Sequence, residues 1–145
     1  MTARTYNLGE DGSFGSFMPA VTLADSVSAG ELGVLSQLTG NQNFRTNVGL
    51  VNLSDTTCQA RVRVVAPGGV AVGSPVTKTL AARKFTQIND VFDAAGAGSH
   101  ADAYATVEVL TPGCEMWAYG AVIDGTGSFP GTDDATTIPV TVVDQ

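Results

Sequence analysis

The chain has 145 residues, enough for one domain that buries roughly two-thirds of its unfolded surface, and a hydrophobic share of 43% excludes intrinsic disorder. Fourteen acids against 7 bases leave a net charge of −7, so nothing in the charge favours a phosphate backbone and nucleic acid is a poor partner. No apolar run reaches the roughly 18 residues that a membrane-spanning helix needs.

Charged residues make up only 14%, against a usual value of about 25%, and Gly, Val, Thr and Ala are abundant. That balance suits short strands and tight turns better than helices. The chain opens Met1-Thr2-Ala3-Arg4-Thr5-Tyr6, without the apolar core of a signal peptide. Either the protein stays inside the cell, or Met1 was added to a trimmed, secreted domain; the second reading is preferred.

Residues 3–8 predict a short strand, closed by the turn signal Gly9-Glu10-Asp11-Gly12. Ser13 to Val21 reads as an extended edge segment, because Pro19 cannot donate to a ladder. Ser28-Ala29-Gly30-Glu31 has the spacing of a helix capping box. However, Gly30 and Gly33 each cost about 1 kcal/mol inside a helix. The preferred reading is a strand over Gly33-Val34-Leu35-Ser36-Gln37-Leu38.

Phe44 to Ser54 predicts the central strand. Phe44, Thr46, Val48 and Leu50 share one face at period two, while Arg45, Asn47 and Gly49 take the other. Arg45 and Asn47 are expected to be solvated, with a buried polar ladder or a ligand surface as the sharper alternative. Cys58 to Ala66 alternates cleanly, with Val62 and Val64 inward and Arg61 and Arg63 outward. Arg61, Arg63, Arg83 and Lys84 approach a basic cluster, but their alternating positions suit a wet outer face.

Val70 to Leu80 follows with a break at Gly73-Ser74-Pro75. Asn89 to Gly96 predicts one or two helical turns, with Asn89 as the cap, acids in the first turn and Gly96 at the exit. Ala103 to Leu110 alternates again and stops at Thr111-Pro112-Gly113. Cys114 to Asp124 is expected to pair back on it as a hairpin. Thr136 to Val143 closes the chain as an edge strand marked by Pro139.

These elements predict an all-β fold. They give a single domain over residues 1–145, an antiparallel β-sandwich of immunoglobulin-like architecture, with one very short helix near residues 90–95. A weak repeat adds to this. Asp11-Gly12-Ser13-Phe14-Gly15-Ser16-Phe17 and Pro19 echo Asp124-Gly125-Thr126-Gly127-Ser128-Phe129 and Pro139, each after a strand holding a Tyr (Tyr6, Tyr119). Residues 1–21 therefore read as the closing strand segment of a tandem or neighbouring unit.

Four stretches together resemble a known module: Phe44 to Asn52, Gln87 to Phe92, Trp117 to Asp124, and Thr137-Ile138-Pro139-Val140. They are similar to an immunoglobulin-like β-sandwich module of secreted bacterial proteins, often in tandem or next to extracellular enzymes. The likeness covers roughly residues 14–142. It implies a secreted or cell-surface setting and no catalysis, and it carries over no functional residue. The loop Ser128 to Ala135 departs from that pattern.

In a secreted domain, an even pair such as Cys58 and Cys114 suggests a disulfide, worth about 4 kcal/mol in the chain-entropy model. Two separate buried thiols are the alternative. With one His in the chain, a zinc site lacks ligands. His100 reads as a surface loop residue, and no catalytic constellation is visible. Asp124, Asp133 and Asp134 lie in a Gly-rich loop that reads as solvated, with calcium as the sharper alternative. Asn52-Leu53-Ser54 fits a glycosylation acceptor, a weak signal in a bacterial chain.

Trp117 and Tyr119 share a strand face, with Tyr104 expected on the partner strand. Such a strip could stack a surface glycan, or Trp117 could anchor the core. The resulting expectation is a non-enzymatic extracellular structural or adhesive module. It would act through its surface or strand edges and assemble with copies of itself or adjacent modules, without cofactor or metal. The alternative is a carbohydrate-binding module using Trp117, Tyr119 and Tyr104.

Overall fold

A computed structural model describes residues 2–9, 12–124 and 135–143. Its strands are β1 (Thr2–Gly9), β2 (Gly12–Pro19), β3 (Val27–Ser28), β4 (Leu32–Gly40), β5 (Phe44–Asn52), β6 (Cys58–Ala66), β7 (Val70–Leu80), β8 (Phe85–Ile88), β9 (His100–Val109), β10 (Glu115–Asp124), β11 (Ala135–Pro139) and β12 (Thr141–Val143). One short helix, α1 (Val91–Ala95), follows β8.

The strands form two sheets. One runs β1-β2-β11-β10-β5-β8, with β3 beside the start of β10; the other runs β12-β4-β9-β6-β7. The two pack face to face as an all-β sandwich. Strand pairs are antiparallel except the β2–β11 junction.

Period-two alternation sets the core. Thr46, Val48, Leu50, Met116 and Ala118 are buried from the first sheet, and Leu35, Val62, Val64, Ala105 and Val107 from the second. Val91 and Phe92 of α1 plug one end, where the Phe92 ring fills the space a side chain at position 40 would need.

Several expectations change. The expected β9–β10 hairpin does not form: β9 pairs with β4 and β6, whereas β10 pairs with β5 and β11. The turn Thr111-Pro112-Gly113 carries the chain from one sheet to the other. Alternation gives the same pattern for strands that neighbour and strands that face each other. Likewise the last strand splits at Pro139, which cannot donate onward. β11 stays in the first sheet and β12 joins β4 in the second. β5 lies one strand from the edge, and β2 is flanked by β1 and β11 rather than lying at an edge.

The strand reading of residues 33–38 holds. The spacing of Ser28 and Glu31 serves a turn instead of a helix: Glu31 Oε2 accepts from the Ser28 N–H at 2.7 Å, and the Glu31 N–H donates to the Ser28 carbonyl at 3.1 Å. Gly30 takes φ +99°, a conformation that favours glycine. A 3₁₀ turn at Leu23–Asp25 has no counterpart in the sequence reading. Asp25 Oδ2 closes it by accepting from the Thr22 N–H and hydroxyl, which holds the Asp25 carboxyl below its ordinary value.

The break in β7 is a bulge, with Gly73, Ser74 and Pro75 looping out between Val72 and Val76. The cap of α1 is Asp90, not Asn89: Asp90 Oδ1 accepts from the Asp93 N–H, and Asn89 accepts from Gln87. Asn47 is buried, not solvated, and its Oδ1 accepts from the Asp90 N–H at 3.0 Å; Arg45 is exposed. The basic residues do not form a cluster. Arg61 pairs with Glu108, and Arg83 with Asp55 at 2.8 Å, holding the Asp55 carboxyl below its ordinary value.

Candidate functional site

The residues expected to form an aromatic strip do not form one. Trp117 and Tyr119 lie on the outward face of β10, while Tyr104 lies on β9 in the opposite sheet. Its cross-strand partner is Val65 of β6. The sequence showed which strand face each ring occupies. It could not show that the sandwich separates them.

Cross-strand register explains what Tyr119 meets instead. Tyr119 stands opposite Gly49 on β5, and Gly49 stands opposite Gln87 on β8. Gly49 has no side chain, so the Tyr119 ring lies across the β5 backbone in the space a Cβ would need. The ring thereby reaches β8. It stacks parallel to Phe85 with centroids 6.4 Å apart, and its hydroxyl donates to Gln87 Oε1 at 3.5 Å. Trp117 stands next along the strand, its ring 5.4 Å from that of Tyr119.

Two rings of this row are closed to solvent and one is open. Trp117 is 4% exposed and Tyr119 7%, whereas Phe85 is 54% exposed. Trp117 is therefore covered by packing rather than open to a ligand, and its Nε1 is buried without a hydrogen-bond partner. Phe85, which the sequence reading passed over, is the ring that faces out. Edge position on a four-residue strand was the signal for it.

Burial pushes the Tyr119 phenol above its ordinary value of 10.0. The folded state thus keeps this proton where the unfolded chain loses it. The contribution to stability is fully present below about pH 10 and is lost as pH rises through the folded value. Thermal melts between about pH 9 and 11 check this. The parent chain should lose Tm with rising pH more steeply than Tyr119→Phe, and parallel slopes would contradict it.

The acceptor-like Asn52 is unavailable to modifying enzymes, being 1% exposed. Its Nδ2 donates to the carbonyls of Thr56, Leu80 and Ala81, and its Oδ1 accepts from the Ser54 N–H. The sequence Asn-Leu-Ser here ties two loops together.

Cys58 and Cys114 form a disulfide with Cα atoms 6.0 Å apart. Cys58 begins β6 in one sheet, and Cys114 immediately precedes β10 in the other, so the bridge staples the two layers. Both are buried.

His100 begins β9, and its Nε2 lies 3.0 Å from the Ala97 carbonyl. Asp133 and Asp134, named for the calcium alternative, lie outside the described residues. Among the described residues, no three His, Cys, Asp or Glu side chains cluster as a metal site would require. An open cavity of about 350 Å³ lies between residues 40–42 and α1, lined by Asn41, Gln42, Asp90, Phe92, Asp93 and Ser99 among others. Two of its polar side chains serve the local backbone. Asn41 Oδ1 accepts from the N–H groups of Asn43 and Phe44, and Asp90 caps α1.

Strand edges remain as surfaces that could take a partner. In the second sheet, the edge strand β7 carries Pro75 and the bulge, both of which blunt pairing. Its opposite edge, β12, has three residues. In the first sheet, β8 has four residues and β1 has eight, with no Pro. Among the described residues, the β1–β2 hairpin meets β11 with Ser16 opposite Ala135 and with the Ser16 and Thr137 hydroxyls 2.9 Å apart.

No family model matches the chain, and no significantly similar curated protein was found. A crystal structure of Thermotoga maritima 1070 is similar in fold, with a TM-score of 0.54. The match covers 81% of this chain and 96% of that one at 12% identity. A likeness at that identity speaks to the fold alone.

Proposed function

We propose that the chain is a non-enzymatic structural or adhesive module that works at the cell surface or outside the cell and associates through its sheet edges. The observation that carries this is the β1 edge. It is long and free of Pro, so its outer row of backbone groups can pair with another strand. A disulfide stapling the layers is compatible with an oxidising compartment. The likeness to secreted bacterial modules, noted in the sequence, supports the same setting.

The carbohydrate reading loses its platform. Sugar stacking needs open ring faces; Trp117 and Tyr119 are buried, and Tyr104 lies on the other sheet. A glycan would have Phe85 as its stacking ring on that face.

Removing residues 1–21 tests the association. Non-denaturing mass spectrometry of the parent chain should show oligomers whose share grows with concentration. The shortened chain should be monomeric. An unchanged distribution after the deletion would rule out residues 1–21 as the associating element.

A further inference from the structure

We infer that the outer face of β8 and β5 is a binding strip for an uncharged saccharide. Phe85 is the ring on which a sugar stacks, and the side-chain amides of Gln87, Asn89 and Asn47 bond its hydroxyls. The strip lies at the opposite edge of the first sheet from β1 and does not depend on association there.

Register brings these residues together. Phe85 stands opposite Val51, and Gln87 stands opposite Gly49. Period two puts Asn89 on the same face as Phe85 and Gln87. Gln87 Nε2 donates to Asn89 Oδ1 at 2.7 Å, which holds Asn89 there. On β5, Asn47 shares that face with Gly49, and its Oδ1 accepts from the N–H of Asp90, the residue after Asn89. The strip thus runs from a ring to a group of amides over about 13 Å, four residues at about 3.3 Å each.

The ring is held before any ligand arrives. A single exposed Phe is ordinary on a protein surface. Phe85 differs because it stacks parallel to Tyr119, which is buried and itself in contact with Trp117. It presents open apolar area with less rotamer freedom to lose on binding.

The amides have capacity to spare. Gln87 and Asn89 are exposed, and Asn89 Nδ2 has no partner among the described residues. Asn47 is the more telling group, being 8% exposed. The Asp90 N–H fixes which end of that amide is the oxygen, so the Nδ2 end is left over. It has no partner among the described residues and is not sealed from solvent. A donor held in one orientation without an internal partner is left to solvent or a ligand.

The chemistry of the strip selects the ligand. A pyranose has an apolar C–H face and a rim of hydroxyls, each both donor and acceptor. Phe85 matches the first, and amides, which carry donor and acceptor together, match the second. An acidic sugar would call for a cation within the strip, where none stands. Arg45 lies beyond Asn47, and the net charge of −7 opposes an anion. An extended peptide would take the β8 backbone edge rather than this face.

The test is a titration of the full ¹⁵N-labelled chain followed by NMR. The probes are neutral di- and tetrasaccharides of glucose, galactose, mannose and xylose, beside an oligogalacturonate and a proline-rich peptide. The side-chain NH₂ signals of Asn47, Gln87 and Asn89 should shift with at least one neutral sugar. Phe85→Ala should weaken that binding about tenfold. Gln87→Ala, also at an exposed position, should weaken it too and serves where Phe85→Ala melts early. Phe17→Ala, which removes another exposed ring of the same sheet, should leave it unchanged. No shift of the three amides with any neutral sugar would overturn the proposal. Binding that survives both Phe85→Ala and Gln87→Ala would overturn the site. Tighter binding of the oligogalacturonate or the peptide would overturn the ligand class.

Discussion

Changing Asn52 to Asp should cost the fold at least about 3 kcal/mol at neutral pH, on the order of 10 °C in Tm. Asn52 is 1% exposed, and its amide nitrogen serves the carbonyls of Thr56, Leu80 and Ala81. Asp presents an oxygen where that donor stood. Three carbonyls lose their partner, and a carboxylate faces them in a site closed to water. Its pKa must rise, since the neutral acid alone can donate. The variant should therefore recover part of its loss relative to the parent as pH falls below about 5, with Asn52→Ala showing no such recovery. Urea melts at pH 7 and pH 4 measure both effects. A loss under about 1 kcal/mol at neutral pH would mean that the loops around Asn52 hold without it.

Replacing Cys58 and Cys114 together by Ala should cost about 4 kcal/mol, close to a thousandfold in the folding equilibrium. The bridge closes a 56-residue separation and joins the start of β6 to the residue before β10. Without it, the unfolded chain regains the entropy that this long loop denied it. The layers also lose their one covalent tie among the described residues. Chemical denaturation with and without reductant checks the magnitude. Because both sulfurs are buried, a mild reductant should reach them only when the chain opens. Rapid reduction of the native protein would show that the sandwich opens locally at that end.

Much of the fold was legible because alternation is local. Val62 and Val64 against Arg61 and Arg63 told which face of β6 goes in, and burial agrees. The Gly73-Ser74-Pro75 break in β7 was visible for the same reason: Pro has no N–H and Gly has no side chain to pack. The pairing of Cys58 with Cys114 followed from two cysteines in a chain read as secreted.

The site was less legible. Asn47 and Asn52 look like residues of a wet strand end, and only their partners, the Asp90 N–H and the carbonyls of Thr56, Leu80 and Ala81, make them interior groups. Tyr119 and Phe85 are 34 positions apart in sequence, and the absence of a side chain at Gly49 lets their rings meet.

By itself, then, the sequence determined that this chain folds as strands, where most strands begin and end, and which side of each faces inward. These depend on a residue and its near neighbours. Tertiary structure alone decided which strand stands beside which, so that β9 and β10 lie in different sheets while β11 and β12 part at Pro139. It also decided that Trp117 is covered while Phe85 is bare. Those outcomes turn on backbone hydrogen bonds and packing between distant segments, and an alternating strand looks the same in either sheet.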